Sequence, residues 1–136
     1  LACYDDEEEV YQTICKIGTG FSDEALKTLT EQMQPHIIDG PPGYYSYGEG
    51  PNVTPDVWFS PETVWEVMAA DLSISPTHHA AAGLVDETKG ISLRFPRYLR
   101  TRYVSQPHCD AQAPTVHFDC SLLRTTSPTD MALLGV

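Results

Sequence analysis

The sequence has few cations and no long hydrophobic run. Its 136 residues include 8 Lys and Arg against 19 Asp and Glu, which gives a formal net charge of −11. A chain with this balance repels polyanions unless its cations are clustered. Hydrophobic residues make up 41% of the chain but form no segment long enough to cross a bilayer. The composition therefore predicts one globular domain with no membrane partner.

Common catalytic and metal-binding motifs are also missing. The sequence contains no nucleophile elbow, no phosphate-binding loop and no His-Glu-x-x-His motif, so it predicts no self-contained enzyme. Glu66 and Asp71 are expected on opposite faces of one strand, which excludes a catalytic carboxylate pair. His78 and His79 have no third ligand at a useful spacing and are interpreted as polar loop residues. Four further residues fit no compact zinc finger, so no metal site is predicted: His108, Cys109, His117 and Cys120.

The few cations are concentrated in one segment. Residues 89–102 contain no acidic residue and five cations, which are Lys89, Arg94, Arg97, Arg100 and Arg102. Apolar and aromatic residues are interleaved with them at strand spacing, so Arg94 and Phe95 are expected to point to opposite faces of a strand. Two interpretations are open. The segment is either a solvated basic edge strand that discourages aggregation, or a surface whose arginines contact phosphates while Phe95 enters a groove.

Turn residues and hydrophobic spacing predict short strands and a single helix. Strands are expected at residues 1–4, 10–17, 57–59, 64–72 and 91–95, with one short edge strand inside the loop 39–55. A helix is expected at residues 23–33, with Ser22 as its N-cap and Pro35 beyond its end. Trp58 and Trp65 are interpreted as core residues. This pattern predicts a mainly β fold, a small Greek-key barrel.

A series of short motifs, in the same order along the chain, points to one family. The motifs are Cys-Lys-Ile-Gly-Thr-Gly-Phe-Ser-Asp-Glu at 15–24, Pro-Asp-Val-Trp-Phe at 55–59, Val-Trp-Glu-Val at 64–67, Ala-Asp-Leu-Ser-Ile-Ser-Pro at 70–76, Gly-Leu-Val-Asp at 83–86 and Lys-Gly-Ile-Ser-Leu-Arg-Phe-Pro-Arg at 89–97. With them, residues 1–102 resemble the C-terminal OB-fold domain of eukaryotic replicative, ligase I-type ATP-dependent DNA ligases. The resemblance implies a five-stranded OB barrel with a short helix and a truncated first strand. Residues 103–136 are then a diverging C-terminal tail.

The resemblance also implies a function for a longer parent chain. That chain is expected to seal nicks in duplex DNA through enzyme-adenylate and DNA-adenylate intermediates, using ATP and Mg²⁺, in nuclear replication, excision repair and recombination. The partners implied are nicked duplex DNA and the parent's own nucleotidyltransferase and DNA-binding domains. By analogy, four residues contact DNA: Lys89, Arg94, Phe95 and Arg97. Arg100 and Arg102 stand where the family begins a motif that orients the β- and γ-phosphates of ATP.

The sequence departs from the family pattern at three points. Tyr103-Val104-Ser105 follow Arg102 where the family has Glu-Asp-Lys, and Met68 replaces a usual lysine. The Lys-x-Asp-Gly motif, whose lysine becomes adenylated in the family, is absent from this sequence. This segment alone is therefore predicted to be inactive, with the catalytic lysine upstream. Two alternatives stay open: a free-standing nucleic-acid-binding module and a non-catalytic truncated product.

Overall fold

The fold is mainly β with one short helix, as the sequence predicts, and is consistent with an OB-fold. A computed structural model of the chain describes residues 1–50 and 53–102. The elements in this part are β1 (Ala2–Asp5), β2 (Val10–Thr13), α1 (Asp23–Met33), a 3₁₀ turn (Gln34–His36), β3 (Ile37–Ile38), β4 (Tyr45–Ser46), β5 (Trp58–Phe59), β6 (Val64–Met68), β7 (Asp71–Ser75), β8 (Gly90–Arg94) and β9 (Arg97–Arg102). None of the helical segments found there is long and apolar enough to span a membrane.

A buried polar network fixes the first hairpin. β1 and β2 pair antiparallel, and β4 adds to β2 in parallel. The buried carboxylate of Asp5 accepts hydrogen bonds from Gln12 Nε2 at 2.9 Å and from the backbone N–H of Glu7 at 3.0 Å. Gln12 Oε1 in turn accepts from the backbone N–H of Ala81 at 2.9 Å. Since buried polar groups are costly without partners, this network anchors the hairpin to the loop that precedes β8.

β2 ends at Thr13, so the predicted strand 10–17 is too long. The backbone beyond Thr13 bonds to several segments instead of following one partner strand. The N–H of Ile14 donates to the carbonyl of Leu1 at 3.0 Å, and the carbonyl of Ile14 accepts from the N–H of Leu93 in β8 at 3.4 Å. A buried hydrophobic cluster lies at this junction and contains Cys3, Ile14, Cys15, Ala80 and Leu93. Residues 14–17 thus connect the hairpin to β8.

Four of the remaining six strands form a bent antiparallel ribbon, while β3 pairs antiparallel with β5. β6 pairs with β9 and β7 pairs with β8, so residues 64–75 run beside residues 90–102. The ladder is interrupted where Ala69 and Ala70 lie opposite Phe95 and Pro96. Pro96 has no N–H to donate, and Phe95 has a positive φ of 52° that a regular strand does not allow.

This bend corrects two strand predictions. The single strand predicted at 64–72 is divided into β6 and β7, and the strand predicted at 91–95 ends at Arg94. Glu66 and Asp71 consequently lie on different strands instead of on opposite faces of one. Hydrophobic alternation continues through the bend in the sequence, so the pattern alone does not reveal it.

The helix and the tryptophans support these strands. α1 spans Asp23–Met33 as predicted, and Ser22 Oγ accepts from the N–H of Ala25 at 3.1 Å as an N-cap. Trp58 packs on Tyr45 and Tyr47, with ring centroids 5.6 and 4.7 Å apart. Trp58 and Trp65 are half-buried, so both belong to aromatic clusters at the edge of the core and not to its most buried part.

Candidate nucleic-acid interface

Three arginines lie on one face of β9. The β6–β9 register pairs alternate residues of β6 with these arginines: Met68 with Arg97, Glu66 with Arg100, and Val64 with Arg102. Alternate residues of a strand share a face of the sheet, and directly paired residues on neighbouring strands share it as well. Arg97, Arg100 and Arg102 therefore lie together, and we call them the arginine face.

A β-bulge at Leu99 makes this arrangement possible. Arg97 and Arg100 are three positions apart, so a regular strand places them on opposite faces. After Glu66 the register shifts, and Arg100 and Tyr98 pair with consecutive residues of β6 while Leu99 is left as the extra residue. The bulge returns the arginines on both sides of it to the same face. Sequence reasoning missed this feature because no residue pattern in the segment marks a bulge.

The opposite face of the ladder is aromatic. Tyr98 packs against Phe21 at a centroid distance of 4.8 Å and against Trp65 at 5.3 Å. The Tyr98 hydroxyl lies 3.1 Å from Thr101 Oγ1 on the same strand. We call Phe21, Trp65 and Tyr98 the aromatic face. Its stacked and edge-to-face rings bury apolar surface on the side of the ladder that lacks the arginines.

A single carboxylate holds two residues of the arginine face. Glu66 Oε2 accepts hydrogen bonds from Arg100 Nε at 2.7 Å and from Arg102 Nε at 2.6 Å. The hydrogen bond from Arg100 is the largest cause that keeps the pKa of Glu66 below its usual value, and the same contact raises the pKa of Arg100. Glu66 and Arg100 therefore both stay charged at neutral pH. Arg100 remains exposed although it is paired.

Phe95 stands out from the bend of the ribbon. Its side chain is 74% exposed, and its φ of 52° lies in the left-handed region that a bulky residue rarely adopts. The Arg94 guanidinium carbon lies 5.2 Å from the centre of the Phe95 ring, a cation–π distance. The prediction that these side chains point to opposite faces of a strand is therefore wrong, because Phe95 has left the strand and its ring contacts Arg94.

The loop before α1 supports this turn. Thr19 Oγ1 donates to the carbonyl of Pro96 at 2.8 Å, and the carbonyl of Thr19 accepts from the N–H of Tyr98 at 2.9 Å. Gly20 has a φ of 93°, and a Cβ there would collide with the backbone of Tyr98. A glycine is thus required for the close approach of this loop to β9. The motif at 15–24 packs against the motif at 89–97.

Lys89 is set apart from the other candidate residues. It precedes β8, whereas Arg94 ends β8. At about 3.3 Å per residue the two residues are separated by roughly 16 Å along the strand. Lys89 Nζ contacts Asp86 Oδ2 at 3.2 Å. The structure thus brings together Arg94, Phe95 and Arg97 at the bend and continues to Arg100 and Arg102, but it does not bring Lys89 to them.

His78 and His79 lie in the loop between β7 and β8. His79 Nδ1 lies 2.9 Å from Ser46 Oγ, in agreement with the prediction of polar loop residues. Within residues 1–50 and 53–102 no group of three or more His, Cys, Asp or Glu side chains could hold a metal ion. Several predictions fall outside the described residues: the zinc candidates His108, Cys109, His117 and Cys120, the divergent Tyr103-Val104-Ser105, and the rest of the tail.

A mainly β domain with clustered arginines beside an exposed aromatic ring has the features of a polyanion-binding domain. Residues 1–105 match the family model of the ATP dependent DNA ligase C terminal region. The chain is 57% identical over 107 residues to DNA ligase 1 of Dictyostelium discoideum, covering 79% of the chain and 9% of that protein. It is 57% identical over 102 residues to DNA ligase 1 of Drosophila melanogaster, covering 75% and 13%.

DNA ligase 1 of Saccharomyces cerevisiae is 49% identical over 102 residues, with coverage of 75% of the chain and 13% of the relative. The chain therefore belongs to the ATP-dependent DNA ligases and corresponds to their C-terminal region. This confirms the family indicated by the ordered motifs. The chain spans 9% to 13% of the length of these curated relatives.

Proposed function

We propose that this chain is the DNA-binding OB-fold portion of an ATP-dependent DNA ligase that seals nicks in duplex DNA. The observation that carries the proposal is the exposed Phe95 ring beside Arg94, at one end of the arginine face. Arginines bind phosphates through their N–H groups, and apolar side chains can enter the minor groove. Arg94, Phe95 and Arg97 would contact the DNA beside the nick. Lys89, which lies apart, would contact the duplex farther away.

The chemistry belongs to the parent chain in this proposal. A lysine in a nucleotidyltransferase domain attacks the α-phosphorus of ATP, which releases pyrophosphate and leaves AMP bound to the lysine. This AMP is then transferred to the 5′-phosphate of the nick, and the lysine is released. The 3′-hydroxyl then attacks that 5′-phosphate and releases AMP. Arg100 and Arg102 would contact the β- and γ-phosphates in the first step, since guanidinium groups stabilise phosphate charge during transfer. Mg²⁺ would be bound in the nucleotidyltransferase domain.

We place this parent enzyme in the nucleus, where it would act in replication, excision repair and recombination. The support is the similarity to several proteins named DNA ligase 1. A fluorescent fusion of the full-length protein tests the location. Nuclear signal is expected, and a signal confined to the cytoplasm or an organelle would contradict this part of the proposal.

The contact with DNA is tested by removing the side chains at the bend. In the full-length enzyme, Arg94→Ala with Phe95→Ala should lower kcat/KM for nick sealing at least about tenfold at near-physiological salt, because phosphate and groove contacts are both lost. Self-adenylylation by ATP should be unchanged. Leu26→Ala with Lys27→Ala is a matched control, since it removes an exposed apolar residue and an adjacent cation from α1. Unchanged sealing by the first variant overturns the assignment.

The existence of a parent chain is tested by the intact mass of the native polypeptide. It is purified from its source with an antibody to this segment and measured before and after incubation with ATP and Mg²⁺. A chain much larger than 15.1 kDa that gains one AMP is expected. A chain of that small mass with no gain would support a free-standing binding module or a truncated product instead.

A further inference from the structure

Glu66 is the one acidic residue paired directly with the arginine face in the β6–β9 ladder. The Glu66 side chain as a whole is 20% exposed. Arg100 and Arg102 are two positions apart on the same face of β9, so their like charges repel each other. The shared oxygen Oε2 offsets this repulsion and draws both Nε atoms to one point.

The geometry of these contacts leaves the outer edge of each guanidinium for another ligand. Each arginine uses Nε toward Glu66, and within residues 1–50 and 53–102 no other hydrogen bond of these two side chains was found. The two terminal nitrogens of a guanidinium form a fork that matches two oxygens of a phosphate. Because the guanidiniums of Arg100 and Arg102 are bonded to the same oxygen of Glu66, their relative position is restricted. They therefore lose less entropy when a polyphosphate binds.

The charge on this face also favours an anion. The arginine face has three guanidiniums, and Glu66 is the one carboxylate paired with it in the β6–β9 ladder, so together they have a surplus of two positive charges. Met68 is the residue opposite Arg97 and adds no charge. A polyphosphate can therefore bind without first displacing Glu66, because the carboxylate occupies the Nε side of the pair.

We propose that Glu66 is a positioning residue that holds the guanidiniums of Arg100 and Arg102 in register for a polyphosphate, namely the terminal phosphates of ATP. This rests on the proposed function, in which those arginines contact the ATP phosphates. Glu66 itself touches no substrate. Glu66 is negatively charged, yet in this role it favours the binding of an anion. Removing its carboxylate makes the arginine face electrostatically more attractive to anions. It also frees the two guanidiniums from their fixed relative position, which weakens the binding of a polyphosphate.

Two variants of the full-length enzyme separate these effects. Glu66→Gln removes the charge, and Glu66→Asp keeps the charge but withdraws the carboxylate so that it no longer reaches both Nε atoms. Glu31→Gln makes the same change of charge on the exposed surface of α1 and is the matched control. Inorganic tripolyphosphate is the binding probe, measured by isothermal titration calorimetry. The KM for ATP in self-adenylylation and the Kd for nicked duplex DNA are measured in parallel.

Both Glu66 variants should weaken tripolyphosphate binding and raise the KM for ATP about tenfold, as expected from losing one charge-assisted contact. Their Kd for nicked DNA should change less than about twofold, and Glu31→Gln should behave as the unmodified enzyme. Equal or tighter tripolyphosphate binding by Glu66→Asp overturns the proposal. If the Glu66 variants weaken only the binding of nicked DNA, the proposal is overturned too, because Arg100 and Arg102 then contact phosphates of the duplex and not those of ATP.

Arg100→Ala with Arg102→Ala distinguishes this proposal from the function on which it rests. If this double variant leaves the KM for ATP unchanged, the assigned phosphate contact itself fails. If the double variant raises the KM and the Glu66 variants do not, the contact holds and the role of Glu66 fails. The thermal unfolding transition of each variant shows whether it is folded. If Glu66→Gln is unfolded, the test rests on Glu66→Asp.

Discussion

The two faces of the β6–β9 ladder are built from the same strands but differ in what holds them together. On the aromatic face, Phe21, Trp65 and Tyr98 pack ring against ring. The arginine face is ordered by one carboxylate on two exposed or partly exposed guanidiniums. The first arrangement stabilises the domain by burying apolar surface. The second adds little stability, because ion pairs at a solvent-exposed surface are weak, and it leaves cationic groups facing solvent.

The bulge at Leu99 separates these two sets of side chains. Without it, strict alternation groups Tyr98 with Arg100 and leaves Arg97 on the opposite face. An extra residue in one strand thus separates the aromatic side chains from the arginines. The comparison teaches that the grouping of charges on this segment depends on its register as well as on its composition.

Insertion of one alanine between Glu66 and Val67 is the strongest way to break the separation. The new residue pairs with Leu99, so the ladder becomes regular and turns Tyr98 away from the aromatic face and Arg97 toward it. Burying a guanidinium without a partner is costly, so we expect the free energy of unfolding to fall by about 3 kcal/mol or more. Denaturant unfolding of the domain within the full-length enzyme measures this. Deletion of Leu99 also makes the ladder regular but keeps Tyr98 and Arg97 on their present faces, and a loss of stability as large as that of the insertion would contradict the role of the register.

Trp65→Ala removes the centre of the aromatic face and leaves the arginine face in place. A half-buried tryptophan that contacts two other rings should cost about 2–3 kcal/mol when truncated, toward the low end for large aromatic residues. The thermal transition of the domain should shift down accordingly. At temperatures where the variant is folded, its Kd for nicked DNA should change less than twofold. A specific loss of DNA affinity without loss of stability would show that the two faces do not divide these roles.

Phe95→Asn should affect function and leave stability intact. Asparagine tolerates the left-handed backbone that strains phenylalanine, a gain of about 1 kcal/mol. The loss of the contact with Arg94 costs about 0.5 kcal/mol at an exposed site. The net stability is therefore expected within about 0.5 kcal/mol of the unmodified enzyme, while nick affinity falls about tenfold because the groove contact is lost. A marked loss of stability with unchanged affinity would identify Phe95 as a structural residue.

Met68→Lys gives the smallest expected effect and sharpens the comparison. Met68 is 45% exposed and pairs with Arg97, so a lysine there extends the arginine face by one cation. The slope of log K against log salt for duplex binding should steepen by about 0.9, the contribution of one phosphate contact. Ile74→Lys introduces the same charge at an exposed site on β7 and should change the slope less. Equal slopes for the two variants would argue against a localised face.

Local signals in the sequence predicted part of this structure. The cap at Ser22 and the apolar spacing after it define α1, because both act within a few residues of the helix. The ordered motifs indicated the family, and the cluster of cations in 89–102 indicated the segment in which the arginine face lies. These signals do not depend on how distant segments pair.

Features set by pairing between distant segments were not predictable. The bend at Phe95 and the bulge at Leu99 depend on the register between β6–β7 and β8–β9. The clustering of Arg97 with Arg100 follows from that register and not from their spacing, which suggests the opposite. The contact between Thr19 and Pro96 joins residues 77 positions apart, so no local pattern indicates it.

The claim that the Phe95 turn meets DNA at the nick is tested most directly by photo-crosslinking. The full-length enzyme with p-benzoylphenylalanine in place of Phe95 is bound to nicked duplex DNA and irradiated. Placement of the same group at Leu26 on α1, which is 50% exposed, provides the control. We predict crosslinks from position 95 to nucleotides that flank the nick and none from position 26. Crosslinks spread evenly along the duplex, or no crosslink from position 95, would contradict the account.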